Sequence, residues 1–437
     1  IEHALGALKA SGSLAPGAQP PIRIELAWHV QPPDGPRFAA SGELTGTFDR
    51  LEVEQSFGAP AAGRVSGTLE QPLDEPRARL RADLPKTELS RLWPGLPAWP
   101  AEAGVDVRAR ADGFVAFEGS SRVEAGPLGR AEVRISGQRV ASEVWRASDI
   151  VIRREADGAR VTGRGLLDLG GAAGPGFSGS MEWRGIGWPL TGLDEGAGGL
   201  RLPGSSGRAA VHAGTDGLRL RGLEASWLDG SWRGRASLGW DPKITGRFDL
   251  RAESVSPSAL PGELPGKLDA SFAGAVEWTE DAWRGELVLR RLHGDVLNAP
   301  VEASAEVATD GTGLQAEAVT ARWGGVQATL SGRLGDDWDV DWDVQADGLE
   351  PWLADLEGRV DLSGSVAGPR RLPRLRLRGE GRRIGFAGYR METARVRASV
   401  DMAAPGAVEA EAAGTGVRGP LVEGSDGRLR LSLAGDL

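Results

Sequence analysis

A strict alternation of apolar and charged side chains constrains the fold of this chain more than any other feature of its sequence. Residues 337–344 read Asp-Trp-Asp-Val-Asp-Trp-Asp-Val. Because successive side chains of a β-strand point to opposite faces, a strand here has one apolar face and one acidic face. A helix would distribute the four Asp residues around its circumference. The run therefore predicts a strand whose apolar side is formed by Trp338, Val340, Trp342 and Val344.

The same alternation recurs along the chain, at residues 23–26, 105–108, 247–251, 286–289, 374–378 and 428–433. Turn residues separate such runs, and Asp-Gly pairs typical of β-hairpins occur at 157–158, 216–217, 310–311 and 426–427. The 65 Gly and 27 Pro residues, about a fifth of the 437 residues, disfavour long helices. Short helices are predicted only at 86–93, 256–260 and 350–356.

A long antiparallel sheet with one apolar face must cover that face. A sandwich or a barrel does so within about 100 to 250 residues, whereas the alternation here continues through the chain without a clear linker. We therefore predict an all-β fold, an elongated antiparallel β-sheet that curls lengthwise into an open hydrophobic groove. This is a taco-like repeating β-groove with few short helices.

An apolar groove of this kind suits acyl chains, because each buried CH₂ group contributes about 0.8 kcal/mol. The residues predicted to bind lipid occupy the apolar positions of the strongest alternating runs. They are Phe248, Leu250, Leu287, Leu289, Trp338, Val340, Trp342, Val344, Leu375, Leu377, Val396, Leu429, Leu431 and Leu433.

Composition argues against several classes of function. The net charge of −10 opposes nucleic-acid binding, which needs the opposite sign. The absence of Cys excludes disulfides, thiolate zinc sites and Cys nucleophiles. The four His residues lie far apart, and the Gly-rich stretches lack the following helix that a phosphate loop requires. We therefore expect no enzymatic activity, no catalytic residues, no metal site and no cofactor.

Two neighbouring segments carry opposite charge. Residues 336–361 contain ten acidic residues and one Arg, and residues 370–397 contain ten Arg and two acidic residues. We interpret the Asp residues of 336–343 as a solvated strand face, since a calcium site needs its ligands around a tight turn. The Arg segment has two interpretations, lipid-phosphate contacts at the groove rim through Arg370, Arg371, Arg374, Arg376 and Arg378, or complementary charge between the solvent faces of adjacent strands.

Several motifs in the second half of the chain are similar to those of a known family. Residues 181–192 read Met-Glu-Trp-Arg-Gly-Ile-Gly-Trp-Pro-Leu-Thr-Gly, and 222–232 read Gly-Leu-Glu-Ala-Ser-Trp-Leu-Asp-Gly-Ser-Trp. Gly-Trp-Asp-Pro follows at 239–242, Leu-Pro-Gly-Lys-Leu at 264–268, Leu-Glu-Gly at 356–358 and Val-Ala-Gly-Pro at 366–369. Together they resemble the TamB family of AsmA-like, repeating-β-groove lipid transfer proteins. The resemblance is dense over 176–437 and diffuse over 1–175.

The resemblance implies a periplasmic β-groove that belongs to an inner-membrane-anchored protein. It implies phospholipid in the groove and an outer-membrane Omp85-type barrel, TamA, as the protein partner. It also implies that this chain is a piece without the N-terminal anchor and the C-terminal barrel-binding domain. We expect a groove over 1–175 that continues over 176–437, with no separate globular domain.

Three functions remain open at the level of sequence. The first is a bridge-like conduit that carries phospholipid from the inner to the outer membrane and so serves outer-membrane biogenesis. The alternative is a scaffold or chaperone for outer-membrane protein or autotransporter assembly, which would bind unfolded strands by adding them to a sheet edge. The third is a structural or adhesive β-solenoid, which predicts a strict short repeat that these drifting units lack.

Overall fold

The chain divides into two compact units, Ile1–Trp227 and Leu228–Leu437. The computed structural model describes residues 2–3, 6–16, 20–31, 37–92, 98–124, 129–170, 174–188, 202–240, 243–259, 264–278, 283–347, 357–386, 388–402, 407–419, 422–423 and 427–433.

The first unit is an antiparallel sheet of fifteen strands in which each strand pairs with the next one along the chain. One short helix, α1 (Leu89–Leu92), follows the seventh strand. The strands are β1 (Glu2–His3), β2 (Gly6–Leu14), β3 (Ile22–Val30), β4 (Phe38–Gly46), β5 (Arg50–Ala59), β6 (Gly63–Glu70), β7 (Arg77–Glu88), β8 (Pro100–Arg110), β9 (Val115–Glu124), β10 (Arg130–Arg139), β11 (Val144–Arg154), β12 (Arg160–Asp168), β13 (Gly176–Trp188), β14 (Leu202–Ala213) and β15 (Gly217–Trp227).

The second unit is also an antiparallel sheet, in which β16 to β27 pair in chain order and β30 pairs with β27. The strands are β16 (Gly230–Gly239), β17 (Ile244–Val255), β18 (Gly266–Trp278), β19 (Trp283–Val296), β20 (Ala299–Thr309), β21 (Leu314–Trp323), β22 (Val326–Leu334), β23 (Asp337–Asp347), β24 (Glu357–Pro369), β25 (Arg374–Phe386), β26 (Tyr389–Asp401), β27 (Ala407–Thr415), β28 (Arg418–Gly419), β29 (Val422–Glu423) and β30 (Gly427–Leu433). A 3₁₀ turn spans Pro257–Ala259.

Short polar turns connect the strands, and the turn between β20 and β21 shows how. The carboxylate of Asp310 accepts hydrogen bonds from the backbone N–H groups of Thr312 (2.9 Å) and Gly313 (3.2 Å) and from the Thr312 hydroxyl (2.7 Å). An Asp side chain that accepts a hydrogen bond from the backbone N–H two residues later mimics the backbone hydrogen bond of a turn. Arg333 of β22 adds hydrogen bonds to Asp310 at 3.3 Å and to the Thr312 hydroxyl at 3.1 Å, so local bonds and a neighbouring strand together fix this turn.

The predicted all-β fold is confirmed, because each unit is an antiparallel sheet that does not close on itself and has very little helix. Of the predicted helices, 86–93 contains α1 but begins with the last residues of β7, and 256–260 contains the 3₁₀ turn. The helix predicted at 350–356 lies outside the described residues. No helix in the described parts of the chain has the length and apolar composition that a membrane span requires.

The packing in each unit is that of a single layer. The main contacts between the described elements run between sheet neighbours, apart from those of α1 and the 3₁₀ turn with adjacent strands. Among the described residues, no large side chain is completely buried, and most buried apolar residues are Ala. A sheet with an apolar face usually buries it against a second layer. Here the described residues leave that face uncovered.

Candidate functional site

The strand pairing of the second unit aligns apolar residues into three rows that run perpendicular to the strands. We name them after one member each, the Leu250 row, the Phe248 row and the Val344 row, and call them together the apolar track. The Leu250 row contains Gly234, Leu250, Phe272, Leu289, Ala305, Val319, Leu330, Trp342, Gly364, Leu377, Ala398, Ala410 and Leu431.

The other two rows flank it, one on each side. The Phe248 row contains Ala236, Phe248, Gly274, Leu287, Val307, Ala316, Gly332, Val340, Val366, Leu375, Val400, Val408 and Leu433. The Val344 row contains Trp232, Ala252, Ala270, Leu292, Ala303, Ala321, Ala328, Val344, Leu362, Gly379, Val396, Ala412 and Leu429.

The apolar track crosses thirteen strands without a polar residue in any of its three rows. Twelve steps of about 4.8 Å between strands give it a length of roughly 58 Å along the sheet. Of the fourteen residues predicted to bind lipid, thirteen occupy register positions in the three rows. The fourteenth, Trp338, lies one position further along β23, between Leu334 and Gly368.

Sequence reasoning missed more than half of the track, including Phe272, Leu292 and Leu330. Leu289 and Leu292 illustrate one reason for these omissions. Strict alternation would place residues three positions apart on opposite faces of the strand. A register shift between these two residues brings both into the track, opposite Ala305 and Ala303. The strand partners of Leu250 could have identified Phe272, but only with the register known.

Aromatic rings on the track lie over glycines of the adjacent strand. A Cβ atom added at Gly364 would lie 2.4 Å from Cζ2 of Trp342, and one added at Gly274 would lie 2.5 Å from Cζ of Phe248. Rings also meet across the face, since Phe272 contacts Trp232 and Phe248 edge-to-face with centroids 5.7 and 5.9 Å apart. Such contacts keep the large side chains in fixed positions along the surface.

Part of the track is packed and part is open. Val340 is only 6% exposed, whereas Leu287 is 43% exposed. Between β24 and β27 the face contains a cavity of about 530 Å³ whose lining is mostly apolar, with contributions from Leu362, Met391 and Val396. The open positions and the cavity leave room for an apolar ligand on this side of the sheet.

Two exposed aromatic residues lie beside the track, beyond the Phe248 row, where β18 ends and β19 begins. Trp278 and Trp283 face each other across β18 and β19 and are 57% and 44% exposed, and Ile244 pairs with Trp278. All three residues lie on the face of the sheet that carries Phe248. Each lies four residues along its own strand from a member of the Phe248 row, and residues an even number apart in a strand point to the same face. The lipid-binding residues predicted from the sequence did not include these two indoles.

The opposite face of the second unit is charged and internally paired. The Asp249 carboxylate accepts hydrogen bonds from Arg290 at 2.9 Å and Arg235 at 3.1 Å, and both Arg residues lower the pKa of Asp249. In the Arg-rich segment, Arg374 donates to Asp401 at 2.8 Å. Arg374, Arg376 and Arg378 alternate with Leu375 and Leu377, so strand geometry places them on the face opposite the track.

The acidic residues of β23 also lie on the charged face. Asp339 and Asp341 are exposed and alternate with Val340 and Trp342 of the track. Within the described parts of the chain, no group of three or more His, Asp or Glu side chains is placed to hold a metal ion.

One comparison with known proteins finds a match. A family model described as "TamB, N-terminal domain" matches residues 192–432, more than half of the chain. The chain belongs to the TamB family. No curated protein and no solved structure matches it. The matched residues include the whole apolar track except Leu433.

Membership in the TamB family assigns a coarse role to the chain. The family is a non-enzymatic family of the cell envelope that acts in outer-membrane assembly and transport, together with a partner of the TamA type. The TamB match begins before β14, so β1 to β13 lie outside it. The proposed division at residue 175 rests on the resemblance and stays a prediction.

Proposed function

We propose that this TamB-family chain binds the acyl chains of phospholipid along the apolar track and passes the lipid from strand to strand. The observation that supports the proposal is the uninterrupted apolar register across thirteen strands of the second unit. A polar client would need polar partners on this face, and the three rows offer none.

The energetics of an acyl chain fit this surface. Each CH₂ group removed from water contributes about 0.8 kcal/mol. The residues of the track are aliphatic, aromatic or Gly throughout, so an acyl chain shifted by one strand again meets a wholly apolar surface. The many small contributions add up to firm binding, but the binding free energy has no deep minimum at any one position along the track. Movement along the track is then a series of small steps.

The charged headgroup has no counterpart on the track and stays in solvent or at the rim. An unpaired charge on an apolar surface is costly to desolvate. The Arg residues of β25 lie on the other face of the sheet, so we assign the acyl chains, and not phosphate contacts, as the source of affinity. In this proposal the chain works in the periplasm, as part of an inner-membrane-anchored protein, and carries phospholipid toward an outer-membrane barrel of the TamA type.

Photo-crosslinking on β23 tests the proposal, because adjacent residues there point to opposite faces. A photoreactive amino acid at Trp338 or Trp342 should capture phospholipid from mixed vesicles or from cells. The matched positions Asp339 and Asp341 lie on the same strand but on the charged face. They should capture little lipid.

Equal capture at all four positions, or no lipid at Trp342, would contradict the proposal. A scaffold or chaperone makes a different prediction in the same experiment. Unfolded outer-membrane protein would then be captured at Trp342 in place of lipid, and an excess of phospholipid would not displace it.

A further inference from the structure

The first unit contains an apolar row of the same kind, with one exception. Strand pairing from β2 to β14 aligns thirteen residues, of which twelve are apolar or Gly and one is Gln55. The row contains Ala10, Leu26, Gly42, Gln55, Val65, Ala82, Val105, Gly119, Ile135, Ile150, Gly163, Met181 and Ala209. We call it the Gln55 row.

The surroundings of Gln55 are apolar on every side. Its neighbours on the same face of β5 are Val53 and Phe57, and its partners across the strands are Gly42 and Val65. The Phe57 ring is fixed by an edge-to-face contact with Trp28 of β3, with centroids 5.7 Å apart. The Gln55 amide therefore lies among hydrophobic side chains.

The amide of Gln55 is buried and has no partner within the described residues. Gln55 is 6% exposed, and neither Oε1 nor Nε2 makes a hydrogen bond there. The other buried polar residue, Ser256, differs because its hydroxyl lies 2.8 Å from that of Ser258. Buried polar groups in proteins are nearly always hydrogen-bonded, and one that is not indicates a missing ligand or a site of function.

The strand next to Gln55 has no side chain at the position paired with it, because that residue is Gly42. A Cβ atom at Gly42 would lie 2.0 Å from the carbonyl oxygen of Glu54 and 2.7 Å from Cα of Gln55. The close approach of β4 and β5 therefore permits only Gly at this position. No side chain from position 42 covers the Gln55 amide or competes for its hydrogen bonds.

We propose that Gln55 binds an ester carbonyl of a phospholipid whose acyl chains lie on the Gln55 row. This inference rests on the proposed function, and it adds a polar recognition point to the first unit that the apolar track of the second unit lacks. The Gln55 Nε2 group donates a hydrogen bond to the carbonyl oxygen. The contact gives the lipid a preferred position on a surface that otherwise has none.

The chemistry of the site selects the ester over the other polar parts of a lipid. A phosphate carries charge, and no charged side chain belongs to the Gln55 row to compensate it. An ester carbonyl is neutral, accepts hydrogen bonds and lies directly beside the acyl chains. It is therefore the lipid group that reaches an apolar surface and still needs a donor.

Ester and ether lipids test this assignment, because a dialkyl ether phosphatidylethanolamine lacks only the carbonyl groups. A photoreactive aliphatic amino acid at Val65, opposite Gln55, reports lipid at the site in the full chain. With Gln55 present, capture of the diacyl lipid should exceed capture of the ether lipid about three- to tenfold, as expected for one added neutral hydrogen bond. In Gln55→Leu and Gln55→Met the two lipids should be captured equally.

A second photoreactive group at Trp342 provides the matched control. There the two lipids should be captured equally in all variants, because the track contains no polar group. Equal capture of both lipids at Val65 with Gln55 present would overturn the inference, as would an ester preference that survives in Gln55→Met. Loss of all lipid at Trp342 as well would instead overturn the proposed function. Capture of peptide and not lipid at Val65 would also overturn the inference.

The stability of the lipid-free protein gives an independent readout. Replacing a buried amide that lacks partners by an apolar side chain of similar size removes an uncompensated desolvation cost. Gln55→Met should therefore unfold at a denaturant concentration equal to or higher than that of the unsubstituted chain. A clear loss of stability would mean that the amide has a structural partner, which would overturn the inference.

Discussion

The indole of Trp342 on β23 lies over the backbone of Gly364, its direct partner on β24. The two residues are paired in register, and a Cβ atom on Gly364 would approach Cζ2 of Trp342 to 2.4 Å and the carbonyl oxygen of Arg376 to 2.6 Å. The same arrangement occurs between Phe248 and Gly274. Because Gly364 and Gly274 have no side chain, the aromatic rings of Trp342 and Phe248 can pack directly against the backbone of the adjacent strand.

Gly364→Val should destabilise the second unit by about 1–3 kcal/mol, because the added side chain overpacks the space under the indole and meets the backbone of β25. Urea unfolding measures the loss. The control Ser363→Val places the same side chain on the exposed charged face of β24 and should change stability by less than about 0.5 kcal/mol. An equal loss of stability in both variants would show that the destabilisation comes from placing Val in this strand, and not from overpacking beneath the indole.

Ala394→Phe should obstruct the cavity between β24 and β27. Ala394 lines it and lies opposite Gly381 and Gly414, so neighbouring strands offer no large side chain at these positions. Lipid capture by a photoreactive group at Val396 should fall several-fold, while capture at Trp342 persists. The control Arg397→Phe adds the same ring on the charged face, at an exposed position that does not line the cavity, and should leave capture at Val396 intact. Undiminished capture in Ala394→Phe would exclude the cavity as a lipid position.

Simultaneous replacement of Arg374, Arg376 and Arg378 by Glu should leave lipid capture at Trp342 unchanged, because these side chains lie on the face opposite the track. Stability should fall slightly, since the exposed pair of Arg374 with Asp401 is lost and such pairs contribute about 0.2–1 kcal/mol. Leu377→Glu is the matched control on the same strand, because it introduces a charge on the track face. It should abolish lipid capture by photoreactive groups close to position 377. Slower lipid transfer in the triple variant would favour phosphate contacts at the rim.

Asp310 should titrate far below an ordinary Asp. The hydroxyl and the backbone N–H of Thr312, followed by Arg333, lower its pKa to about 2. Because the pKa is lowered by folding, the carboxylate stabilises the turn fully above about pH 4, the unfolded value. That contribution disappears as the pH falls from about 4 to about 2.

Carbon-13 NMR of the carboxyl group measures this pKa directly. Thr312→Val removes the largest cause and should raise the pKa of Asp310 toward its ordinary value. Thr309→Val is the matched control, because the Thr309 hydroxyl accepts from Gly311 and does not touch Asp310. A pKa that does not respond to Thr312→Val would contradict the geometry of the turn.

The faces of the strands could be predicted because side-chain direction in a strand is a local property. Wherever alternation was strong, as from Trp338 to Val344 or at Leu375 and Leu377, the residues proposed for the groove do lie at positions of one face. Gln55 was also visible in principle. It interrupts the series Leu51, Val53 and Phe57 at an apolar position of β5.

Pairing between strands could not be predicted in the same way, because register is set by contacts between residues distant in sequence. Alternation alone does not tell that Trp342 meets Gly364, or that Leu250, Leu289 and Trp342 belong to one row. The register shift between Leu289 and Leu292 even reverses what alternation implies for one of them. Weakly patterned strands rich in Ala and Gly gave no signal, although they contribute many positions of the track.

The amino-acid sequence by itself determined that this protein is a β-sheet protein with one apolar and one charged face, since a period of two leaves no other regular structure. It also carried the motifs that resemble the TamB family. Only the tertiary structure decided which apolar residues form continuous rows and that Gln55 is buried with no partner among the residues that the structure describes. The reason is that continuity and burial depend on which strands lie side by side, and that depends on the whole sheet.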